Sequence, residues 1–228
     1  HWLSVTGCAH VVLSGGVTAN VKMNQRIHEL EEVQSIFVYP NMGDGGCGSG
    51  LAMHRSWRGG PPENMEHAYL GPSYPEMDME AALRQAGLEF ERPPELAAHV
   101  AARLHAGDVI GRFAGAMEYG PRALGNRSIL YHGRDTEVNR WLNRRLDRTE
   151  FMPFAPVTLW EARYDCYRGL AGAEHTAEFM TITFDCTDRM RAECPAAVHV
   201  DGTARPQLIR REVNPEYHAI LAAYRQLS

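Results

Sequence analysis

The chain has 228 residues, 44% of them apolar, with 23 Lys and Arg against 28 Asp and Glu and a formal net charge of −5. That length allows one large domain or two small ones, with a core of useful size. The acidic balance argues against a general nucleic-acid binder, which carries a basic surplus, and no apolar run reaches membrane-spanning length.

The first predicted element is a short β-branched strand, Val11-Val12-Leu13, which ends in Ser14-Gly15-Gly16. Thr18 is placed to cap a helix running to about Glu32, with Val17, Val21, Ile27, Leu30 and Val33 on one face. Ile36-Phe37-Val38-Tyr39 is the next strand, and a loop from Asn41 to Gly50 leads into a small-residue helix ending near Trp57. This strand, glycine loop and helix, used twice, is an α/β pattern suited to phosphate or ribose. Arg58-Gly59-Gly60-Pro61-Pro62 is the strongest breaker, so a domain boundary is expected near residue 60. Helices are predicted at 77–86 and 95–105, a strand at 108–113, another at 128–131, and a helix at 136–148. Further strands are expected at 154–159, 179–184, 197–200 and 207–210, with a short helix at 161–168. Asn214 opens the last helix, with Pro215 at its first position.

The five cysteines, at 8, 47, 166, 186 and 194, are odd in number and contain no CxxC pair. Neither a disulfide framework nor a structural zinc site is suggested, and reduced thiols in a cytoplasm are the simpler expectation. No signal peptide is recognisable, and because residue 1 is His the start is expected to be trimmed. Lys22 is the only lysine. An arginine-rich composition can follow genome bias, so the arginine count alone says nothing about phosphate.

The stretch from Glu118 to Leu130 organises the rest. Two strands flank a loop containing Gly120, Pro121, Arg122, Gly125, Asn126 and Arg127. Glycine permits tight turns and close approach of a ligand. Arginine offers a planar charged fork for carboxylate or phosphate oxygens. On these residues alone an anion cradle and a surface hairpin with solvated arginines both stay open. The same holds elsewhere. Ser14-Gly15-Gly16 is either an anion-binding turn or a plain βα turn, Asp44 a turn residue among glycines, and the basic run 143–148 a favourable helix C-terminus. Asp201-Gly202-Thr203 fits a type I turn, and His199 a satisfied strand-end residue.

Four motifs tip the balance. Gly120 to Ser128, GPRALGNRS, resembles the signature loop of the antibiotic and nodulation-factor O-carbamoyltransferases. Leu13 to Asn20 is similar to their SGGVALN loop, Pro153 to Pro156 to their RPFAP segment, and His199 to Gln207 to their HVDGTARxQ segment. All four occur in the family's order. The resemblance implies an α/β fold, α+β in its second part: the tail of an actin/Hsp70-like kinase-type domain over residues 1–60, then a threonylcarbamoyl-adenylate-synthase-like domain over 61–228. It implies a chain truncated at both ends, whose isolated form fails in transfer.

The implied chemistry joins ATP and carbamoyl phosphate into carbamoyl-adenylate and pyrophosphate, then carbamoylates a hydroxyl of a small acceptor. The acceptor class is an antibiotic, a sugar or a Nod-factor-like molecule. Arg122, Arg127 and Arg205 become the catalytic cations, with Gly120, Asn126, Arg148, His199, Thr203, Gly15, Gly16 and Asn20 around the nucleotide or carbamoyl phosphate. Fixed guanidiniums suit the charge shifts of phosphoryl and adenylyl transfer, and ATP brings Mg2+. Asp44 is implied as a ligand of an Fe2+-type metal. The family's paired histidines, four residues apart, do not occur here, so the other ligands are expected outside this chain. Met152 stands where the family has Arg, and Arg148 is the stand-in for one of two basic residues. A homodimer is among the expected states; a membrane and nucleic acid are not expected partners. Two rival functions are a threonylcarbamoyl-adenylate-type tRNA-modification enzyme and a non-catalytic nucleotide-binding module.

Overall fold

The computed structural model describes residues 1–57, 59–60, 64–145, 147 and 154–228. In chain order, α1 (Trp2–Thr6) is followed by β1 (His10–Leu13), α2 (Val21–His28), β2 (Ser35–Val38) and α3 (Cys47–Ser56). Then come α4 (Glu76–Gln85), α5 (Leu96–His105), β3 (Ile110–Phe113), β4 (Arg127–Leu130) and α6 (Val138–Arg145). The chain closes with β5 (Val157–Leu159), α7 (Arg163–Cys166), β6 (Phe184–Asp185), α8 (Asp188–Glu193), β7 (Thr203–Ala204), β8 (Gln207–Ile209) and α9 (Pro215–Leu227). No helix among the described residues is long and apolar enough to cross a membrane.

These elements fall into two units built from interleaved stretches. The first takes His1–Glu66, Gly120–Arg122 and Gly133–Ile209; the second takes His67–Tyr119, Ala123–His132 and Arg210–Ser228. The mixed helix and strand content agrees with the expected α/β class.

In the first unit β1 and β2 pair in parallel, His10 opposite Ser35 and Leu13 opposite Val38, with α2 as the crossover. A parallel pair needs such a crossover, and a short helix supplies it. The helix starts at Val21 rather than Thr18, because the Asn20 side chain caps it, accepting from the Met23 N–H at 3.0 Å. β5 and β8 form a second parallel pair, and β6 and β7 an antiparallel one. Ile36, Val38, Met42, Tyr167, Leu170, Ile182, Phe184 and Leu208 form the core. The strand expected at 179–184 is mostly absent. Met180 adopts a left-handed conformation (φ 56°), and the Thr183 N–H goes to the Val21 carbonyl instead of a ladder. The segment is buried without strand pairing: Phe179 packs edge-on against Phe37, and the Thr183 hydroxyl reaches Gln25 Oε1 of α2 at 2.8 Å. At 197–200 the chain forms a 3-10 turn over Pro195–Ala197 rather than a strand. Helix α8 has its own cap, Thr187, whose hydroxyl accepts from the Met190 N–H at 3.2 Å.

In the second unit β3 and β4 make an antiparallel hairpin, Ile110 opposite Leu130 and Phe113 opposite Arg127. Helices α5 and α9 pack on each other, burying Ala101 and Leu104 from one and Tyr217 and Ile220 from the other. Asn214 caps α9 by accepting from the Tyr217 N–H at 3.2 Å, with Pro215 following.

Candidate functional site

The second unit contains the part of the signature loop from Ala123 onward, and it is held by groups on either side. Glu118 is 7% exposed. Its Oε1 accepts from the N–H of Leu124 (2.8 Å), Asn126 (2.7 Å) and Arg127 (3.1 Å). A carboxylate buried this deeply requires such donors. Those loop amides are therefore filled by the protein's own carboxylate and are not donors to an external anion. Arg112 donates to the Gly125 carbonyl (2.9 Å) and Asn126 Oδ1 (2.7 Å), with its guanidinium over the Tyr217 ring at 5.2 Å. Asn126 Oδ1 also accepts from Asn214 Nδ2 at 2.9 Å, and Asn126 Nδ2 donates to the Ala116 carbonyl at 2.8 Å. Gly125 has φ 108°, and a Cβ there would lie 2.3 Å from the Tyr217 ring.

Arg127 is likewise committed to the fold. Its Nη1 donates to the carbonyls of Ala114 (2.8 Å) and Asn126 (2.9 Å), and Nη2 to Gly115 (3.2 Å). Its guanidinium lies 3.7 Å from the Phe113 ring centre. Asn126 and Arg127 thus spend their polar atoms on the hairpin and on the neighbouring Asn214 and Pro72.

The first unit holds Gly120–Arg122 with the glycine loops of the amino-terminal half. Gly120 has φ 108°, and a Cβ there would sit 3.2 Å from the Pro40 carbonyl oxygen. Gly15, at φ 105°, donates its N–H to the Met42 carbonyl at 2.7 Å. The loops at 14–16 and 40–44 and the segment 120–122 are therefore neighbours. Arg122 is half-buried. Gly16 opens a 3-10 turn, Gly16–Ala19, and Asn20 is the α2 cap described above. Beneath them Asn24 is fully buried, its Nδ2 donating to the Thr18 (2.7 Å) and Thr181 (2.8 Å) carbonyls.

The 199–205 turn belongs to the same unit. Asp201 Oδ1 accepts from the Thr203 N–H (3.1 Å) and hydroxyl (2.6 Å) and faces His199 Nδ1 at 3.2 Å. Oδ2 pairs with Lys22 Nζ at 2.8 Å. Burial, the largest influence, raises the Asp201 pKa. Hydrogen bonds from Lys22, Thr203 and His199 together outweigh it and hold the carboxyl well below the usual range. Thr203 is buried and Arg205 half-buried between β7 and β8. Arg191, Pro195, Val198, His199, Asp201 and Gly202 surround an open depression of about 460 Å³.

Arg148 lies outside the described residues. Asp44 is exposed at the start of a 3-10 turn, Asp44–Gly46. Among the described residues no group of three or more His, Cys, Asp or Glu is arranged to hold a metal. One carboxylate does not hold a transition metal, so these residues do not by themselves fit the Fe2+-type site that the resemblance implies.

Comparison with known families gives two matches. Residues 4–53 match the carbamoyltransferase N-terminus, and residues 101–228 match the carbamoyltransferase C-terminus. The chain belongs to the carbamoyltransferase family. An uncharacterised protein of Methanocaldococcus jannaschii is 34% identical, over 96% of this carbamoyltransferase chain and 37% of its own length. Nodulation protein NolNO of Sinorhizobium fredii is 33% identical, over 99% of the chain and 34% of its own length. The 3'-hydroxymethylcephem-O-carbamoyltransferase of Streptomyces clavuligerus is 29% identical, over 94% and 39% respectively. The chain thus spans well under half the length of the curated relatives it matches.

Within this carbamoyltransferase chain, sequence reasoning passed over Arg112, Glu118, Lys22 and Asp201 as site builders. Two signals were present: Glu118 opens the signature stretch, and Lys22 is the lone lysine among arginines.

Proposed function

We propose that this chain is the part of an O-carbamoyltransferase that binds ATP and carbamoyl phosphate and makes carbamoyl-adenylate. The whole protein then passes the carbamoyl group to a hydroxyl of a small acceptor. The observation that carries this is the family match in both halves, at residues 4–53 and 101–228. It is supported by relatives named for nodulation and for cephem O-carbamoylation.

The atoms balance as follows. Water cleaves the carbamoyl–oxygen bond of carbamoyl phosphate, giving carbamate and phosphate. A carbamate oxygen attacks the α-phosphorus of ATP, and pyrophosphate leaves. The acceptor hydroxyl then attacks the carbamoyl carbon, AMP leaves, and the hydroxyl proton goes to a base or to solvent. Each step redistributes negative charge over phosphate oxygens, which pre-placed guanidiniums stabilise without reorganisation. Arg122 and Arg205 are the arginines we assign to that work. Gly120 and Gly15 let the backbone pass close to the ligand, and Thr203, bonded to Asp201, holds the turn that leads to Arg205. Arg127 and Asn126 hold the hairpin of the second unit.

Pyrophosphate release tests this. The protein is given ATP with carbamoyl phosphate, and separately ATP with threonine and bicarbonate. Release that depends on carbamoyl phosphate is expected. Release only with threonine and bicarbonate assigns the chain to threonylcarbamoyl-adenylate chemistry instead.

A further inference from the structure

Lys22 is the second residue of α2, directly after the Gly15–Asn20 loop, and lies far in sequence from the turn at 199–205. Yet its ammonium makes a 2.8 Å ion pair with Asp201. It also donates to Gln25 Oε1 at 3.1 Å. Gln25 is itself buried and accepts from the Thr183 hydroxyl at 2.8 Å. The other oxygen of Asp201 takes the Thr203 amide and hydroxyl. Two residues beyond Thr203 the chain presents Arg205. Residues from both family matches thus meet in one bonded path: Lys22 in the first, Asp201 and Thr203 in the second.

We infer that Lys22 is a positioning residue: through Asp201 it fixes the 199–205 turn, and with it Thr203 and Arg205, against the helix that follows the first glycine loop. A lysine suits the task because its compact ammonium reaches Asp201 and Gln25 together, whereas a planar guanidinium favours a paired fork. Lys22 touches no reacting atom in this scheme, and its effect on a ligand passes through the turn. The ligand arm of the test rests on the adenylate reading above; the exchange arm does not.

The test compares the native chain with Lys22→Met, Lys22→Gln, Lys22→Arg and Asp201→Asn. Both partners are about two-thirds buried at their side chains, and partly exposed pairs are worth modest factors. Amide exchange at Gly202 and Thr203 should therefore speed up about two- to fivefold in Lys22→Met and Lys22→Gln. Lys22→Arg should recover part of the protection, and Asp201→Asn should lose at least as much as Lys22→Met. Unchanged exchange at the turn overturns the inference. So does a rise spread evenly over the chain, which would make Lys22 a contributor to stability alone. In calorimetry with ATP, Lys22→Met should weaken binding about two- to fivefold with a melting temperature lowered by no more than about 2–4 °C, and Lys22→Arg should rescue part of both. If the native chain binds no ATP, the adenylate reading fails, and the exchange arm still decides the role of Lys22.

Discussion

In the proposed reading, two arginines five positions apart in one motif have separate work. Arg127 gives Nη1 and Nη2 to carbonyls of its own hairpin and stacks on Phe113. Replacing it with Lys removes the planar fork and leaves the part-buried Ala114 and Asn126 carbonyls short of donors, at a cost of about 0.5–1.5 kcal/mol in urea unfolding. Arg122 is assigned to the ligand, so Arg122→Ala should weaken ATP or carbamoyl phosphate binding roughly tenfold or more. Its effect on unfolding should be smaller than that of Arg127→Lys. Calorimetry and urea unfolding of both variants separate the roles; a swapped pattern refutes the assignment. Asp201 adds a pH signature. Its carboxyl is depressed in the folded chain from an ordinary value of 3.8. The ionised form therefore contributes stability in full above that value, and the contribution is lost as pH falls through the folded pKa. The melting-temperature gap between the native chain and Asp201→Asn should shrink as pH falls below about 4. A gap that widens as pH falls below about 4 contradicts the hydrogen-bond arrangement.

At the scale of elements, the sequence displayed what periodicity and punctuation encode, and concealed what depends on distant partners. Asn214-Pro215 announces α9 by local chemistry, and β1, β2 and the 110–113 strand follow from short apolar runs. The stretch 179–184 has the composition of a strand, but the hydroxyl and amide of Thr183 are claimed by α2, a partner about 160 residues away. No local pattern reports that. The signature loop is similar: its glycines are visible in sequence, while the reason for Gly125 lies in Tyr217 on α9. At φ 108° and with a Cβ 2.3 Å from that ring, Gly125→Ala incurs both backbone strain and overpacking, together about 2–5 kcal/mol. Gly111→Ala on the neighbouring strand is the control, since nothing lies within 4 Å of its Cβ position. It should change stability by less than about 0.5 kcal/mol. Equal costs at the two sites would mean that the Tyr217 contact does not limit the loop.

For the whole chain, motif order revealed the family, but the way the units are assembled could not be read along the sequence. Each unit takes separate stretches, and the second is completed by residues 210–228. That closing stretch provides more than a surface helix. Tyr217 and Ile220 bury against the side where α5 contributes Ala101 and Leu104. Asn214 and Tyr217 also brace Asn126, Arg112 and Gly125 in the loop. Each large apolar side chain so buried is worth about 1.5–3 kcal/mol, and a domain's net stability is only about 5–15 kcal/mol. Losing several at once, together with the bonds to Asn126, leaves the second unit with little or no margin. A chain ending at Ile209 should therefore lose amide protection throughout α5 and the β3–β4 hairpin, and become open to proteolysis between residues 96 and 130. Adding back a synthetic 210–228 peptide should restore protection in proportion to its occupancy, because the cost of ordering α9 is then met by the same buried contacts. Native-level protection of α5 in the shortened chain would show that the unit is held by something other than α9, and the bracing assigned to Asn214 and Tyr217 would be wrong.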